Sequence, residues 1–354
     1  MAGGGFHTGH VSRLATLLSQ TERYDAALLV IGSNLYELPV SRRFPNVVKV
    51  EILQMNPDKP DVVGIEQLLT DFVPDVVVFD CLDALPELKD STAEHTRTVI
   101  FDDECFPQRK AQITVNAILG DWNREHDELS GGRVLLQGPR FLIIRRRKGT
   151  ISGAIPATDA GIEAVEASHA SVGVLVALGG TDPTRSTLPI VEALESITSG
   201  ADIGFDVLQG RELFALVLAS PAHPDRLQLQ LRAQSFHCYI TYGVDTYPWL
   251  ASSTLAITGG GLTAFEALHH GVPTLIVPNS NHEERTAALL AQRGLVLRRG
   301  PGLRLEPSQD SGYYAKTIAS ALSDRAKLSR IASRAASFID GLGCDRVWEW
   351  IRTK

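Results

Sequence analysis

Short apolar runs alternate with longer amphipathic stretches along most of the chain. In the first half, runs rich in Val, Ile and Leu predict strands, and the stretches between them have the helical spacing of apolar positions. The predicted strands are Ala26–Ile31, Val47–Ile52, Asp75–Phe79, Thr98–Phe101 and Gln112–Ile118, and the helical stretches include Val11–Gln20 and Val62–Phe72. Continuous apolar strands are expected where helices cover both faces of a sheet. The pattern therefore predicts βαβ units and a parallel sheet.

The alternation weakens over 149–170, which is rich in Gly, Ala, Thr and Ser, and then restarts. The second half has predicted strands at Val172–Leu178, Ile203–Leu208, Leu255–Ile257 and Thr274–Val277, and predicted helices at Ser186–Ile197, Leu262–His270 and Glu283–Arg293. The stretch Tyr313–Arg352 reads as mainly helical, with an interruption at Gly341–Gly343. We therefore predict an α/β protein with two doubly wound parallel-sheet domains, residues 1–148 and 171–335. A linker at 149–170 joins them, a helical tail follows at 336–354, and a ligand cleft lies between the domains.

The first predicted domain has an unusual beginning. A doubly wound domain normally opens with a strand that feeds a Gly-rich loop, but this chain starts inside such a loop. Either the sheet lacks that strand, or the strand is missing from this version of the sequence because the start site lies too far downstream. We expect the second.

Composition and charge narrow the function classes. Hydrophobic residues make up 44% and charged residues 21%, which is ordinary for a soluble globular protein. The net charge of −7 argues against a nucleic-acid partner. No apolar stretch approaches the roughly 20 residues that a membrane span requires, and the N-terminus lacks the layout of a signal peptide. We expect a cytoplasmic protein, and the sequence leaves its oligomeric state open.

The cysteines and histidines do not have the spacing of metal ligands. The four cysteines form no CxxC pair, and the ten histidines form no HExxH or HxH motif. We expect the cysteines to be small apolar residues in a reducing compartment. The sequence predicts neither a protein-held metal ion nor a cofactor.

The first candidate motif is the Gly-rich segment from Gly3 to His10, which precedes an amphipathic helix. Glycines such as Gly9 let the backbone approach a ligand closely, and a helix start offers unpaired N–H groups to an anion. Because the helix dipole disfavours a protonated histidine there, His10 would be neutral and able to accept a proton as a general base. His7 is a weaker candidate. A flexible extension with a capping histidine is the alternative.

Two further glycine loops each follow an apolar strand and precede a helix. In the first, Gly179 and Gly180 permit close approach, and Thr181 offers a hydroxyl to a phosphate oxygen. The alternative is a turn in which Asp182 forms an Asx-turn ahead of Pro183. The loop matches neither GxGxxG nor GxxxxGK[ST], which weakens nicotinamide and P-loop interpretations.

The second of these loops continues from Thr258 through Gly259, Gly260 and Gly261 into a helix that carries Glu266. The N–H groups near Gly261, Leu262 and Thr263 suit a diphosphate, and a carboxylate one turn into the helix suits the hydroxyls of a ribose. Alternatively, Glu266 only offsets the helix dipole.

Other polar groups have competing interpretations. Asn281 and His282 follow the next strand, where they would contact a sugar or cap a helix. We expect His269 and His270 to be structural and the basic run Arg145–Lys148 to be a solvated edge. Acidic residues follow two predicted strands, at Asp80 and Asp83 and at Asp102–Glu104. They would orient a substrate or a base at the cleft rim, or only make their loops soluble.

Taken together, the motifs resemble a known family. The chain resembles the UDP-sugar hydrolases of pseudaminic acid biosynthesis and the related spore-coat polysaccharide nucleotide-sugar enzymes. Its C-terminal half is similar to the N-acetylglucosaminyltransferase that makes lipid II. The matching segments are Thr8–Val11 with Arg13, the loop Gly179–Pro183, the segment Gly260–Glu266, Asn281, and Asp340–Val347, and they occur in the same order.

The resemblance implies a GT-B architecture with two Rossmann-like domains, the second of which binds most of a UDP-sugar. It implies that His10 is the general base of a metal-independent displacement with inversion at the anomeric carbon. The helix start near Gly261 would stabilise the leaving diphosphate, Glu266 would bind the ribose, and Thr181 would lie near the phosphates. By analogy, we expect a role in cell-surface glycan or specialised-metabolite assembly.

Two departures concern the sugar side of the predicted site. The hydrolases carry Asn-Gln where this chain has Asn281-His282, and Asp-x-Tyr where it has Asp80-Cys81-Leu82. These differences favour an inverting glycosyltransferase with a UDP-sugar donor over a UDP-sugar hydrolase, in which water would replace the acceptor hydroxyl. A non-catalytic protein that only binds nucleotide sugars is a third hypothesis.

Overall fold

A computed structural model of the chain describes residues 13–14, 16–18, 28–32, 49–53, 67, 69–71, 73–80, 96–101, 111–124, 126–146, 171–179, 182–200, 207–220, 223–242, 247–250, 252–297 and 310–353. The chain divides into two compact units. The first unit combines Met1–Arg146 with Gly341–Lys354, and the second is Arg147–Asp340. The predicted linker at 149–170 lies outside the described residues.

The first unit is built on a mainly parallel sheet. Its described strands are β1 (Leu28–Gly32), β2 (Lys49–Leu53), β3 (Val76–Asp80), β4 (Arg97–Phe101), β5 (Ile113–Asn116), β6 (His126–Glu128) and β7 (Val134–Gln137). The order in the larger sheet is β3-β4-β5-β7-β6, and β1 pairs with β2. Neighbouring strands are parallel except at the edge, where β6 runs antiparallel to β7. Val99, Ile113 and Leu136 are buried in the core of this unit.

The second unit contains a fully parallel sheet. Its described strands are β8 (Ser171–Ala177), β9 (Glu212–Ala219), β10 (Cys238–Tyr242), β11 (Leu255–Thr258) and β12 (Thr274–Ile276). They lie in the order β10-β9-β8-β11-β12, so the chain moves outward from β8 to β10 and then returns to the other side of β8. The winding direction therefore reverses between β8 and β11. In doubly wound sheets, ligands bind outside the carboxyl ends of the strands at such a switch point.

The described helices are α1 (Thr187–Ser199), α2 (Arg226–Arg232), α3 (Tyr247–Leu250), α4 (Leu262–His269), α5 (Asn281–Gln292), α6 (Ser311–Ser323), α7 (Arg325–Phe338) and α8 (Gly343–Thr353). Ser280, Asp310 and Asp324 start α5, α6 and α7 by accepting a backbone N–H bond. None of the helices in the described part of the chain is both long enough and apolar enough to cross a membrane.

Helices cover both faces of the second sheet, which explains the continuous apolar strands. On one face, Ile257 of β11 belongs to a buried cluster that includes Ile190 of α1 and Ile318 of α6. On the other face, Ala256 clusters with Trp249 of α3 and Ala267 of α4. The alternation of side chains along β11 therefore divides the core into two layers.

The predicted α/β fold of two parallel sheets is confirmed, and the five strands predicted in the first half are present within two residues at each end. The strand predicted at Ile203–Leu208 is wrong at its described end, because Val207 and Leu208 lie in a turn. The next described strand after α1 is β9, which the sequence pattern did not predict. Its unbroken run of Leu, Phe, Ala and Val has no alternation, so periodicity alone does not separate it from a buried helix.

The last helix, α8, packs within the first unit. The Trp348 indole donates to the Leu17 carbonyl at 3.1 Å, and the Arg97 guanidinium donates to the Ile351 carbonyl. Gly343 lies so close to the Leu142 backbone that an added Cβ would be 2.7 Å from the Leu142 amide nitrogen. The sequence analysis assigned residues 336–354 to neither domain, whereas 341–354 group with the first unit.

Candidate functional site

The candidate site lies at the switch point of the second sheet. The loops after β8 and β11 begin at the carboxyl ends of adjacent strands, since Thr258 is aligned with Ala177. Gly179 follows β8, and Gly259–Gly261 follow β11. The structure therefore brings together two of the glycine loops that the sequence singled out.

Helix α4 begins at the second loop with an open N-terminus. Gly261 is its N-cap residue, and no side chain in the described part of the chain caps it. The first turn contains no acidic residue, so the positive end of the helix dipole is not offset there. Thr258 lies just before the loop, on the sheet face that α4 covers, and its buried hydroxyl finds no hydrogen-bond partner among the described residues. This end of α4 has the donors that an anion requires.

Glu266 lies one turn into α4 and is buried, with 7% of its surface exposed. Its backbone carbonyl accepts the N–H of His270 at the end of the helix. A residue that only offsets the helix dipole would lie inside the first turn, whereas Glu266 lies beyond it. Burial of the carboxylate instead favours a specific polar partner.

A carboxylate from the next helix supports the glycine loop. Glu283 of α5 accepts the backbone N–H of Asn279 at 2.6 Å and also accepts the N–H of Gly260. A Cβ on Gly259 would lie 2.8 Å from a Glu283 carboxylate oxygen, and one on Gly260 would lie 2.7 Å from the Glu283 Cα. These two positions require glycine because of close approach, since neither has a positive φ.

The surroundings of Glu283 change the pKa of its carboxyl group. Burial raises the pKa of Glu283 above its ordinary value, and the nearby negative charge of Asp182 raises it further. The two backbone N–H bonds act in the opposite direction but do not cancel these effects. A carboxyl with a raised pKa beside a glycine loop is typical of a functional site.

Asn279 ties the loop after β12 to the loop after β8. Its side-chain amide donates to the Leu178 carbonyl at 2.6 Å, and its Oδ1 accepts the Thr184 hydroxyl at 2.5 Å. Because Asn279 also donates its backbone N–H to Glu283, the loops after β8, β11 and β12 form one hydrogen-bonded unit. Such a unit holds ligand-binding groups in place before the ligand arrives.

Asp182 stabilises the loop after β8 through hydrogen bonds to its buried carboxylate. Its fully buried carboxylate accepts the backbone N–H groups of Ser186 and Thr187 at 3.1 and 2.7 Å, and it lies 3.3 Å from Nε2 of the buried His223. Its backbone φ of 35° is left-handed, a strain typical of functional loops. Burial alone would raise the pKa of Asp182, but the bonds from His223, Thr187 and Ser186 outweigh it and hold the pKa below its ordinary value.

The tautomer of His223 follows from its two contacts. Its Nδ1 accepts the backbone N–H of Asp225 at 3.1 Å, so the proton is on Nε2, which donates to Asp182. The Asp225 carboxylate in turn pairs with the guanidinium of Arg185, which is half exposed beside the loop. Hydrogen bonds to this carboxylate, together with its charge, raise the pKa of Arg185.

The predicted site residues that the structure describes fall into two groups. Gly260, Gly261, Leu262, Thr263 and Glu266 lie together at the start of α4. Asn281 and His282 begin α5, where Asn281 is exposed and His282 is partly buried. The cap of α5 is Ser280, so neither Asn281 nor His282 caps that helix. The predicted residues Gly9, His10, Gly180 and Thr181 lie outside the described residues.

The sequence analysis missed the supporting residues Glu283, Asn279 and His223. Glu283 belongs to a polar cluster that opens a predicted helix, and its position, third after Ser280, fits a capping signal as well. For Asp182, the sequence offers an Asx-turn only as the alternative to a phosphate loop, and in the structure its carboxylate holds the start of α1. His223 has no local pattern that would reveal its pairing with Asp182, 41 residues away.

In the first unit, Asp80 is not a rim residue. Its side chain is fully buried at the end of β3 and receives two hydrogen bonds from the Arg13 guanidinium, one of them 2.7 Å from Nε to Oδ2. The same guanidinium lies 4.9 Å from the centre of the Phe101 ring. Asp80 therefore anchors the helical segment at 13–18. Asp83 and Asp102–Glu104 lie outside the described residues.

The remaining predictions concern basic groups. Nδ1 of the buried His269 donates to the Ile339 carbonyl at 2.7 Å, and His270 packs edge-on against Tyr247, so both histidines have structural contacts as predicted. In the basic run, Arg146 pairs with Asp345 of α8. Across the described ranges, no three His, Cys, Asp or Glu side chains are grouped as metal ligands would be.

Two known proteins are similar to this chain in sequence. No family model matches the chain. The spore coat polysaccharide biosynthesis protein SpsG of Bacillus subtilis is 26% identical over 276 residues, which are 77% of this chain and 75% of SpsG. The protein MJ1062 of Methanocaldococcus jannaschii is 25% identical over 276 residues, 76% of this chain and about half (52%) of MJ1062. The chain is a distant homologue of SpsG.

Solved structures identify the architecture. The spinosyn rhamnosyltransferase SpnG superimposes with a TM-score of 0.61 at 14% identity, covering 98% of this chain and 96% of SpnG. MurG of Acinetobacter baumannii superimposes with a TM-score of 0.56 at 13% identity, covering 99% and 98%. The chain has the GT-B fold. The predicted fold and the predicted similarity to spore-coat polysaccharide proteins are thereby confirmed. The resemblance to hydrolases of the pseudaminic acid pathway stays a prediction.

Replacing Gly260 by alanine is expected to lower the free energy of unfolding by about 1–3 kcal/mol, because the new Cβ would displace the Glu283 backbone. Gly261→Ala is the matched control. A Cβ there would be 3.8 Å from its nearest neighbour, so we expect a loss of less than about 1 kcal/mol, mainly from the poorer N-cap. Urea denaturation of the two variants measures the difference. Equal losses would contradict the close packing of Gly260 against Glu283.

Proposed function

We propose that the protein is an inverting, metal-independent glycosyltransferase that uses a UDP-sugar, with His10 as general base. The observation that carries this proposal is the open N-terminus of α4 at the switch point of the second sheet, with Glu266 buried one turn into the helix. Gly9, Gly180, Thr181, Asn281 and His282 complete the proposed nucleotide-sugar site.

The donor nucleotide would bind along the start of α4. The N–H groups of Leu262 and Thr263 lie in the first turn, where a helix has no internal acceptor for them, and they would bind the diphosphate. Glu266 would accept hydrogen bonds from the two ribose hydroxyls. Glycines at 259–261 keep the approach to these groups free of side chains.

In the proposed reaction, His10 removes a proton from the acceptor hydroxyl as its oxygen attacks the anomeric carbon. The new C–O bond forms on the face opposite the diphosphate, whose own bond to that carbon breaks, so the configuration inverts. UDP leaves with the electron pair. The N-terminus of α4 stabilises the negative charge that develops on the leaving diphosphate.

The comparisons support this choice over other uses of an α/β fold. SpsG is named for polysaccharide biosynthesis, and the GT-B structures that match include a rhamnosyltransferase and the forosaminyltransferase SpnP, which has a TM-score of 0.56. Together with the open N-terminus of α4, these similarities favour a nucleotide-sugar substrate and a role in glycan assembly.

Calorimetric titration tests the donor site. UDP is expected to bind in preference to TDP, GDP and CMP, and Glu266→Ala is expected to weaken UDP binding about 10- to 100-fold, as the loss of hydrogen bonds to a charged acceptor implies. Glu195→Ala is the matched control, because Glu195 is a surface carboxylate of the same unit, paired with Arg232 on α2. Failure of folded wild-type protein to bind any of the nucleotides would overturn the proposal.

Product analysis separates transfer from hydrolysis. In the proposed transferase, UDP release from a UDP-sugar depends on an added hydroxyl acceptor. The alternative is a UDP-sugar hydrolase, in which water takes the position of that acceptor at His10. Rapid release of UDP and free sugar without any acceptor would favour the hydrolase.

A further inference from the structure

The Glu283 carboxylate contacts the glycine loop of the proposed phosphate site. It accepts the N–H groups of Gly260 and Asn279, and its carboxylate oxygen Oε1 lies 3.8 Å from where a Cβ of Gly261 would be. Gly261 is the N-cap of α4. The position at which α4 begins is therefore fixed by contacts to a negatively charged group only a few ångströms away.

Among the described residues, the charged neighbour that raises the pKa of Glu283 is itself negative. From the loop after β8, Asp182 faces it with a second negative charge. From the loops after β11 and β12, the contacts are the uncharged groups of Gly259, Gly260 and Asn279. Along α5, Glu283 is flanked in sequence by His282 and Glu284, and Glu266 lies one turn into α4. A diphosphate would add further negative charge at a place already bordered by carboxylates.

We propose that Glu283 is a positioning residue of the diphosphate site, which holds the glycine loop and takes up a proton when the diphosphate binds. This inference rests on the proposed nucleotide site. Protonation removes the repulsion between the carboxylate and the diphosphate, and a protonated carboxyl keeps one oxygen that accepts a backbone N–H. The loop thus keeps a hydrogen bond to Glu283 while the local charge falls by one. UDP should consequently bind more tightly as the pH is lowered toward slightly acidic values.

The test is calorimetric titration of UDP into the full-length protein, slightly below neutral pH, in two buffers with different heats of ionisation. The dependence of the binding enthalpy on the buffer gives the number of protons taken up. Wild-type protein is compared with Glu283→Gln, Glu283→Ala and the control Glu195→Gln. UDP itself titrates in this range, but its contribution is common to all four proteins, so differences between them report on the protein.

Wild type and Glu195→Gln are expected to take up a fraction of a proton more than Glu283→Gln. Binding by Glu283→Gln should also depend less on pH. Glu283→Ala is expected to weaken UDP binding about tenfold, because the glycine loop loses its acceptor, and the glutamine, which keeps one acceptor, should recover most of that loss. A role in folding alone would change neither proton uptake nor the pH dependence of binding.

Equal proton uptake by wild type and Glu283→Gln would overturn the inference, as would undiminished UDP binding by Glu283→Ala. If the alanine variant does not fold, the comparison of wild type with glutamine still decides the question. Absence of UDP binding by folded wild-type protein would instead overturn the proposed function, and this inference with it.

Discussion

Replacing His10 by alanine is expected to lower kcat about 10²- to 10⁴-fold, the usual contribution of a positioned general base. In the proposed reaction, His10 takes the proton from the acceptor hydroxyl, and without it the hydroxyl is a weak nucleophile. The binding of UDP should change little, because the proposed donor groups lie on α4 in the second unit. Initial rates with a UDP-sugar and an acceptor, together with the calorimetric affinity for UDP, measure the two effects separately.

His7→Ala is the matched control for this experiment. His7 lies in the same Gly-rich segment, three residues before His10. We expect its replacement to change kcat only a few-fold. A His10→Ala variant that keeps the wild-type rate would rule out the general base. A wild-type protein that binds UDP but turns over no UDP-sugar would favour a protein that only binds nucleotide sugars.

Asp80→Asn is expected to lower the free energy of unfolding by about 3–5 kcal/mol, because it leaves the buried Arg13 guanidinium without its counter-charge. The side chains of Arg13 and Asp80 are 3% and 0% exposed, so water cannot solvate the remaining charge. A double variant, Arg13→Met with Asp80→Leu, removes both charges and should recover much of the loss. Urea denaturation followed by circular dichroism measures all three proteins.

Arg124→Gln provides the surface control in the same unit. Arg124 is 64% exposed and pairs with Asp121 and Asp127, so its loss should change the free energy of unfolding by less than about 1 kcal/mol. If Asp80→Asn were no more damaging than Arg124→Gln, the Arg13–Asp80 pair would not anchor the helical segment at 13–18.

The features that the sequence predicted well are those with local signals. Apolar runs such as Val172–Leu178 and the glycine loop at 259–261 are defined by residues adjacent in the chain, so strand, loop and helix start could be predicted in order. Burial of Glu266 also agrees with a role beyond offsetting the helix dipole.

The features that were missed depend on contacts between distant parts of the chain. Arg13 and Asp80 are 67 residues apart, and Asp182 and His223 are 41 apart. Which carboxylate meets which base is decided by the order of strands in a sheet, and an isolated sequence does not reveal that order. The same reasoning applies to Glu283, because its partner Gly260 lies on a different loop.

The return of α8 to the first unit makes the second unit an insertion within the first. Cys344, Val347 and Ile351 of α8 are buried there, so that core is incomplete without α8. Removal of α8 therefore leaves all of the second unit in the chain but takes buried residues out of the core of the first. A released chain that ended before α8 would therefore carry a complete second unit attached to an incomplete first one.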